Sequence, residues 1–70
     1  MKYLITEKAN SMVIFIDAYV MTEMCNIADL IEDHFPQSVV EVTHNRNTKQ
    51  GSIILKKDID IQKIEKLFER

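Results

Sequence analysis

Residues 12–36, MVIFIDAYVMTEMCNIADLIEDHFP, contain the two patterns that decide the fold. The first five residues, 12–16, are all apolar and rich in β-branched side chains, which predicts a central strand covered on both faces. Further along, apolar residues recur at helical spacing, and the helix is predicted to end at Phe35 because a residue before proline avoids helical angles. The predicted buried stripe is Met24, Ile27, Ala28, Ile31 and Phe35.

The start of this helix has two candidate caps. Asp17 is one, since its carboxylate can accept backbone N–H bonds at a helix start, and Thr22 is the other. The face opposite the stripe holds Thr22, Asn26, Asp29 and Asp33, flanked by Cys25, Glu32, Glu23 and Leu30. The sequence therefore predicts a helix with one apolar and one acidic face.

Alternating patterns on either side of this stretch predict three more strands and a second helix. Residues 2–8 and 39–43 are predicted strands, and residues 45–51 are a polar hairpin tip that leads into a strand at 52–56. Asp60 is the predicted cap of the last helix, with Ile59 and Ile64 as a hydrophobic staple. Its predicted buried stripe is Ile61, Ile64, Leu67 and Phe68.

The order of elements is ββαββα, which predicts an α+β fold: a two-layer sandwich with a four-stranded sheet and both helices on one face. The link from the second strand through the helix to the third is long enough for a right-handed parallel crossover. Residues 1–70 are predicted to form a single compact domain, and the repeated order can reflect duplication of a half-domain.

One face of the predicted sheet has no helix layer. In the second strand Val13 and Phe15 share one side and Met12, Ile14 and Ile16 share the other, and one of these two sets must face the uncovered surface. An apolar patch there predicts a homodimer packed sheet to sheet, with Val13 and Phe15 in the interface. The alternative is that the N-terminal segment or a layer of side chains covers the patch.

Size and composition narrow the class of protein. A 70-residue chain buries only about 60% of its unfolded surface, so we expect a partner or a second subunit to add stability. Cys25 is the single cysteine, which excludes an internal disulfide and fits a cytoplasmic setting. No run of residues is long and apolar enough for a membrane span, so no membrane association is expected.

Negative charge is concentrated in the first half. Residues 1–35 hold six acids against two lysines, a net charge of −4, whereas residues 36–70 hold five acids and seven bases, a net of +2. A row of carboxylates about a helical turn apart can imitate nucleic-acid phosphates and bind Lys and Arg of a basic protein. The alternative is a solvated helix face. The candidate partner-binding residues are Asp17, Glu23, Asp29, Glu32 and Asp33.

The second half offers a competing site. Its candidate nucleic-acid-binding residues, in and beside the 44–57 hairpin, are Arg46, Lys49, Lys56 and Lys57. Aromatic residues that could stack on bases lie elsewhere in the sequence, and the chain is net acidic. Direct nucleic-acid binding is therefore not favoured, and a small dimeric nucleic-acid-binding regulator is the alternative function.

Nothing in the sequence predicts an enzyme. There is no glycine-rich phosphate loop, no nucleophile elbow, no HExxH and no CxxC. His34, His44 and Cys25 lack the close spacing of a metal site, so no metal and no cofactor are expected. Cys25 beside the apolar stripe is interpreted as a small packing residue.

The acidic helix also carries two resemblances. The short length, the composition rich in Lys, Ile and Asn, and residues 17–35 with their unpaired acids resemble phage-encoded early proteins that take over a host cell. Some of those are DNA mimics that occlude the DNA-binding surface of host proteins, including the nucleoid protein HU. Residues 27–36, IADLIEDHFP, followed by two strands and a helix, are similar to the DinI family of recombinase modulators. The N-terminal hairpin and the weakly acidic last helix depart from that family.

The first resemblance implies a non-enzymatic inhibitor in the cytoplasm of a host cell. Such a protein would occupy the nucleic-acid-binding surface of a basic host protein through its acidic helix.

Overall fold

The computed structural model describes residues 2–69, which form four strands and two helices. The elements are β1 (Tyr3–Glu7), β2 (Ser11–Asp17), α1 (Met21–His34), β3 (Val39–Asn45), β4 (Gln50–Lys56) and α2 (Ile61–Phe68). This order confirms the predicted ββαββα arrangement and the α+β class. Within the described residues, neither helix is long and apolar enough to cross a membrane.

The four strands form one sheet in the order β1-β2-β4-β3, and every neighbouring pair is antiparallel. Because β2 and β3 both run antiparallel to β4, they point in the same direction and α1 connects two parallel strands. These two strands are not neighbours, since β4 lies between them. The central pair of the sheet therefore joins one strand from each half of the chain.

The core lies between the sheet and both helices. One row across the sheet consists of Ile5, Ile14, Ile53 and Val42, and its two central members are fully buried. The helical stripes close over this face, which confirms that both helices lie on one side. The buried members of this cluster are Met12, Ile14, Ile16, Ala18, Met24, Ala28, Ile31, Ile53, Leu55, Ile64 and Leu67.

Each helix covers strands that belong to the other half of the chain. α1 follows β2 but packs against β3 and β4. α2 follows β4 but reaches β1, where the Phe68 ring lies 4.7 Å from the Tyr3 ring, centroid to centroid. The two ββα halves are thus interlocked across the β2–β4 pair.

Both predicted caps of α1 are wrong. The helix begins at Met21 behind Val20, whose backbone is extended and whose side chain makes no capping bond. Asp17 is instead the last residue of β2, because its N–H donates to the Lys2 carbonyl oxygen at 3.2 Å and it pairs with Gln50. Strand pairing has therefore extended β2 through the position that was expected to start the helix.

The expected cap of α2 is confirmed. The Asp60 carboxylate accepts the Gln62 N–H at 2.9 Å, directly before the first residue of the helix. Such a bond satisfies one of the N–H groups that a helix start leaves without an intrahelical partner.

The hairpin between β3 and β4 is tighter than predicted. Pairing continues to Asn45 and Gln50, so the tip shrinks to residues 46–49. Asn45 closes the turn, since its side-chain oxygen accepts the backbone N–H of Asn47 at 2.9 Å. Lys49 completes it with a positive φ of 57°, an uncommon conformation for a residue with a side chain.

Candidate functional site

The outward face of α1 carries two carboxylates without internal partners. Asp29 and Asp33 are exposed, one helical turn apart, as the sequence predicted. Within residues 2–69 neither carboxylate accepts a hydrogen bond or joins an ion pair. Their charge is therefore available to another molecule.

Glu23 extends this negative charge toward the start of α1. It is exposed, and one of its carboxylate oxygens accepts the Tyr19 N–H at 3.3 Å. At a rise of 1.5 Å per residue, Glu23 and Asp33 lie about 15 Å apart along the helix axis. We call Glu23, Asp29 and Asp33 the acidic face.

Glu32 has a different environment from these three. Its Oε2 accepts the Gln37 N–H at 2.9 Å and its Oε1 accepts the Val39 N–H at 3.0 Å. Gln37 has a positive φ of 64°, which turns the chain back beneath the end of α1. Both oxygens of this half-buried carboxylate are thus used to connect α1 to β3. No sequence pattern predicts this role of Glu32, because the two bonds depend on the path of the loop.

Asp17 lies apart from the acidic face. It ends β2, where alternation along the strand turns its side chain to the sheet surface that no helix covers. One of its oxygens, Oδ1, accepts a bond from the Gln50 side-chain amide at 3.3 Å. Of the five predicted partner-binding residues, the structure places Asp29 and Asp33 together on the outer face of α1, with Glu23 at the edge of that face and nearer the helix start.

The four candidate nucleic-acid-binding residues are separated into two pairs. Arg46 and Lys49 lie in the hairpin turn, whereas Lys56 and Lys57 lie at the opposite end of β4, about 20 Å away at the usual rise of a strand. Lys57 is engaged internally, since its Nζ donates to the Ala9 carbonyl oxygen at 3.0 Å. The pairs do not form one continuous basic patch.

The uncovered sheet face is less apolar than predicted. Phe15 is 43% exposed, so β2 is not covered on both faces at this position. Val13 is only 7% exposed, although no helix covers it, because its cross-strand neighbours Thr6 and Ile54 flank it. The apolar side chains that remain accessible on this side are those of Phe15 and Leu4, which are exposed, and that of Ile54, which is half-buried. A dimer through Val13 and Phe15 stays a prediction.

A rigid loop joins β2 to α1 at one end of the molecule. The Ala18 N–H donates to the Lys49 carbonyl oxygen at 3.1 Å, and His44 Nε2 lies 2.8 Å from the Ala18 carbonyl oxygen. A carbonyl can only accept, so His44 carries its proton on Nε2. These bonds fix the backbone that precedes Tyr19 and Val20, whose side chains are exposed. Sequence reasoning did not single out this loop, although three apolar residues follow a buried strand there.

The described residues contain no group of three or more His, Cys, Asp or Glu side chains placed to hold a metal ion. The interpretation of Cys25 as a packing residue is wrong, because its side chain is exposed on α1. His34 at the end of α1 places its Nδ1 3.0 Å from the Leu30 carbonyl oxygen.

No protein-family model matches this chain, and neither the curated proteins nor the solved structures give a significant match to it.

Proposed function

We propose that this protein binds a basic nucleic-acid-binding protein through the acidic face of α1 and so occupies the surface that would hold nucleic acid. In this proposal the partner is, for example, a nucleoid protein such as HU in the host cytoplasm. The observation that supports this proposal is that Asp29 and Asp33 are exposed and that neither carboxylate has a partner group in residues 2–69. In this proposal the protein acts by occlusion and catalyses no reaction.

Electrostatics supports this mode of binding. Like charges four residues apart destabilise a helix by a few tenths of a kcal/mol, so Asp29 and Asp33 weaken the helix that carries them. A cationic partner would remove that repulsion on binding. Lys and Arg side chains that neutralise phosphates release counterions from nucleic acid, so competition by carboxylates should depend on salt in the same way.

The spacing of the carboxylates also suits an extended, charged contact. Asp29 and Asp33 lie one turn apart on the outer side of α1, and Glu23 lies at the edge of that side, separated from Asp29 by the uncharged Asn26. Glu32 contributes by holding the end of α1 against β3, which keeps the row rigid. A row that is rigid before binding loses little conformational entropy when it docks.

The test is titration calorimetry of the protein with purified HU, together with displacement of labelled DNA from HU. We expect binding that weakens with salt, and release of DNA as the protein is added. The double variant Asp29→Lys/Asp33→Lys should bind at least about tenfold more weakly, since two favourable charge pairs become repulsive. The double variant Glu7→Lys/Glu41→Lys is the matched control, because it makes the same charge change on exposed strand positions.

Equal loss of binding in both double variants would show that net charge, and not the helix face, controls association. Unchanged binding of the helix variant would refute the proposal. A gel shift of DNA or RNA by the protein alone at low salt would instead favour the alternative, a dimeric regulator that uses the 44–57 hairpin.

A further inference from the structure

Exposed apolar side chains are concentrated at the end of the molecule where β2 meets α1. Within residues 2–69, six large hydrophobic residues are exposed, and five of them border this end. The five are Leu4, Phe15, Tyr19, Val20 and Met21. Tyr19 is the most exposed, at 73%. Large apolar side chains grouped on one surface mark contact sites more often than scattered ones do.

A cleft of about 410 Å³ lies beside this cluster, between the loop before α1 and the turn between β3 and β4. Its lining residues are Asp17, Ala18, Tyr19, Thr48, Lys49 and Gln50. Both walls are tied together by the bond from the Ala18 N–H to the Lys49 carbonyl oxygen and by the bond from the Gln50 amide to Asp17. These two bonds fix the position of the two walls relative to each other without a ligand.

Two side chains of the cleft, Asp17 and Tyr19, fit a planar cation, and Lys49 adds one positive charge to the same lining. Asp17 uses Oδ1 for Gln50, and within residues 2–69 its second oxygen accepts no hydrogen bond. Tyr19 adds a largely exposed aromatic ring to the same cleft. A guanidinium can donate to a carboxylate while it stacks on an aromatic ring. A small anion would meet the Asp17 carboxylate as well as the Lys49 ammonium group, so the test below compares cationic and neutral probes.

We propose that this cleft receives an arginine side chain of the partner, with apolar side chains next to that arginine packing on Val20 and Met21. The proposal rests on the proposed function in one respect, namely that the partner is a basic protein. It adds a second contact at the start of α1, beside the acidic face, and it makes the partner's docking segment amphipathic as well as cationic.

The test uses the intact chain labelled with ¹⁵N and the blocked tripeptide Leu-Arg-Leu as the probe. We expect saturable shifts of the Ala18, Tyr19 and Gln50 backbone amides. The same tripeptide with citrulline in place of arginine, which is neutral and nearly isosteric, should bind about tenfold more weakly. The tripeptide Gly-Arg-Gly should also bind more weakly, since it lacks the apolar neighbours.

Three variants test which side chains of the cleft control binding of the tripeptide. Asp17→Asn keeps an acceptor for Gln50 and should weaken tripeptide binding about tenfold, and Tyr19→Ala should weaken it severalfold. Lys49→Gln should tighten binding, because it removes a cation from the rim of the cleft. Weaker binding by Lys49→Gln, or equal binding of the citrulline probe, would overturn the proposal and indicate an anionic or purely apolar ligand.

The failure of this proposal is distinguishable from failure of the proposed function. Asp29→Asn/Asp33→Asn should leave tripeptide binding unchanged while it weakens association with HU. If HU binding survives that double variant but tripeptide binding depends on Asp17, the cleft proposal stands and the acidic-face proposal falls. No saturable shift up to about 10 mM tripeptide would remove the cleft proposal alone.

Discussion

The Met24 side chain occupies the space that a Cβ atom on Gly51 would need. A Cβ built at residue 51 would lie 2.5 Å from Met24 Sδ, 2.6 Å from its Cε and 2.8 Å from its Cγ. Gly51 lies in β4 opposite Ile16 and His44, on the face that α1 covers. The only glycine of the chain thus permits a close approach of helix and sheet, and its φ is not positive.

Gly51→Ala should therefore destabilise the protein, by about 1 to 3 kcal/mol, because fully buried Met24 has little room to move. Urea unfolding followed by circular dichroism measures the change. Ser52→Ala, one residue further along β4, is the control; it removes the exposed hydrogen bond between the Ser52 and Thr43 hydroxyls and should cost less than the clash. In a Met24→Ala background, where the space is empty, Gly51→Ala should be nearly neutral. An equal cost in both backgrounds would contradict the proposed clash.

Glu32→Ala should destabilise the protein by about 2 kcal/mol, because it leaves the N–H groups of Gln37 and Val39 without their charged acceptor. Asp33→Ala is the matched control, since Asp33 is a neighbouring acid whose carboxylate has no partner in the described chain. It should leave the free energy of unfolding within about 0.5 kcal/mol of the original. If the two substitutions had the same effect, the structural role of Glu32 would be wrong.

Val20→Ser should stabilise the protein by about 0.5 to 1 kcal/mol, because a serine hydroxyl at this position can accept an N–H of the first turn of α1. Glu23, three residues later, has the position of the capping-box acid, and its carboxylate accepts the N–H of Tyr19, one residue before the cap. Thermal unfolding measures the gain, and Val20→Ala, which removes the same methyl groups without adding an acceptor, is the comparison. Similar melting temperatures for the two variants would contradict the expectation that a side-chain acceptor at position 20 stabilises the start of α1.

Alkaline pH should unfold the protein partly through Tyr3. Desolvation raises the pKa of the Tyr3 hydroxyl, and the Glu65 and Glu69 carboxylates raise it further. A raised pKa means that the folded state holds this proton more tightly than the unfolded state. The resulting stability is complete below the unfolded pKa of about 10 and is lost as pH rises through the folded value.

Tyr3→Phe keeps the ring next to Phe68 and should show a smaller loss of stability above about pH 10 than the original protein. Urea midpoints at a series of alkaline pH values measure the difference. Tyr19→Phe is the control, because the Tyr19 side chain is exposed, and it should follow the original curve. Identical curves for all three proteins would remove Tyr3 as the cause.

Apolar periodicity was enough to predict the elements and their buried faces. Met24, Ala28 and Ile31 are buried at the spacing of one helix face, and Ile64 and Leu67 repeat this in α2. Burial of a periodic stripe is a local property of the chain, so it can be read along the sequence. The exposure of Asp29 and Asp33 follows from the same periodicity.

Positions whose role depends on distant residues could not be predicted in this way. Asp17 has the right side chain for a helix cap, but pairing with Gln50, 33 residues later, keeps it in a strand. Glu32 has the spacing of a helix-edge residue, yet the path of the loop through Gln37 turns it into an internal acceptor. In both cases long-range contacts override local preference, although the sequence predicts both residues in the partner-binding surface.

The interlocked arrangement of the helices makes the two halves of the chain dependent on each other during folding. A fragment that stops at residue 35 would contain α1 without β3 and β4, the strands against which it packs. The remaining fragment would contain Phe68 without the Tyr3 ring, and β4 without the strand that pairs with it at the centre of the sheet. Each peptide alone is expected to stay unstructured, whereas an equimolar mixture can regain the native circular dichroism spectrum by complementation.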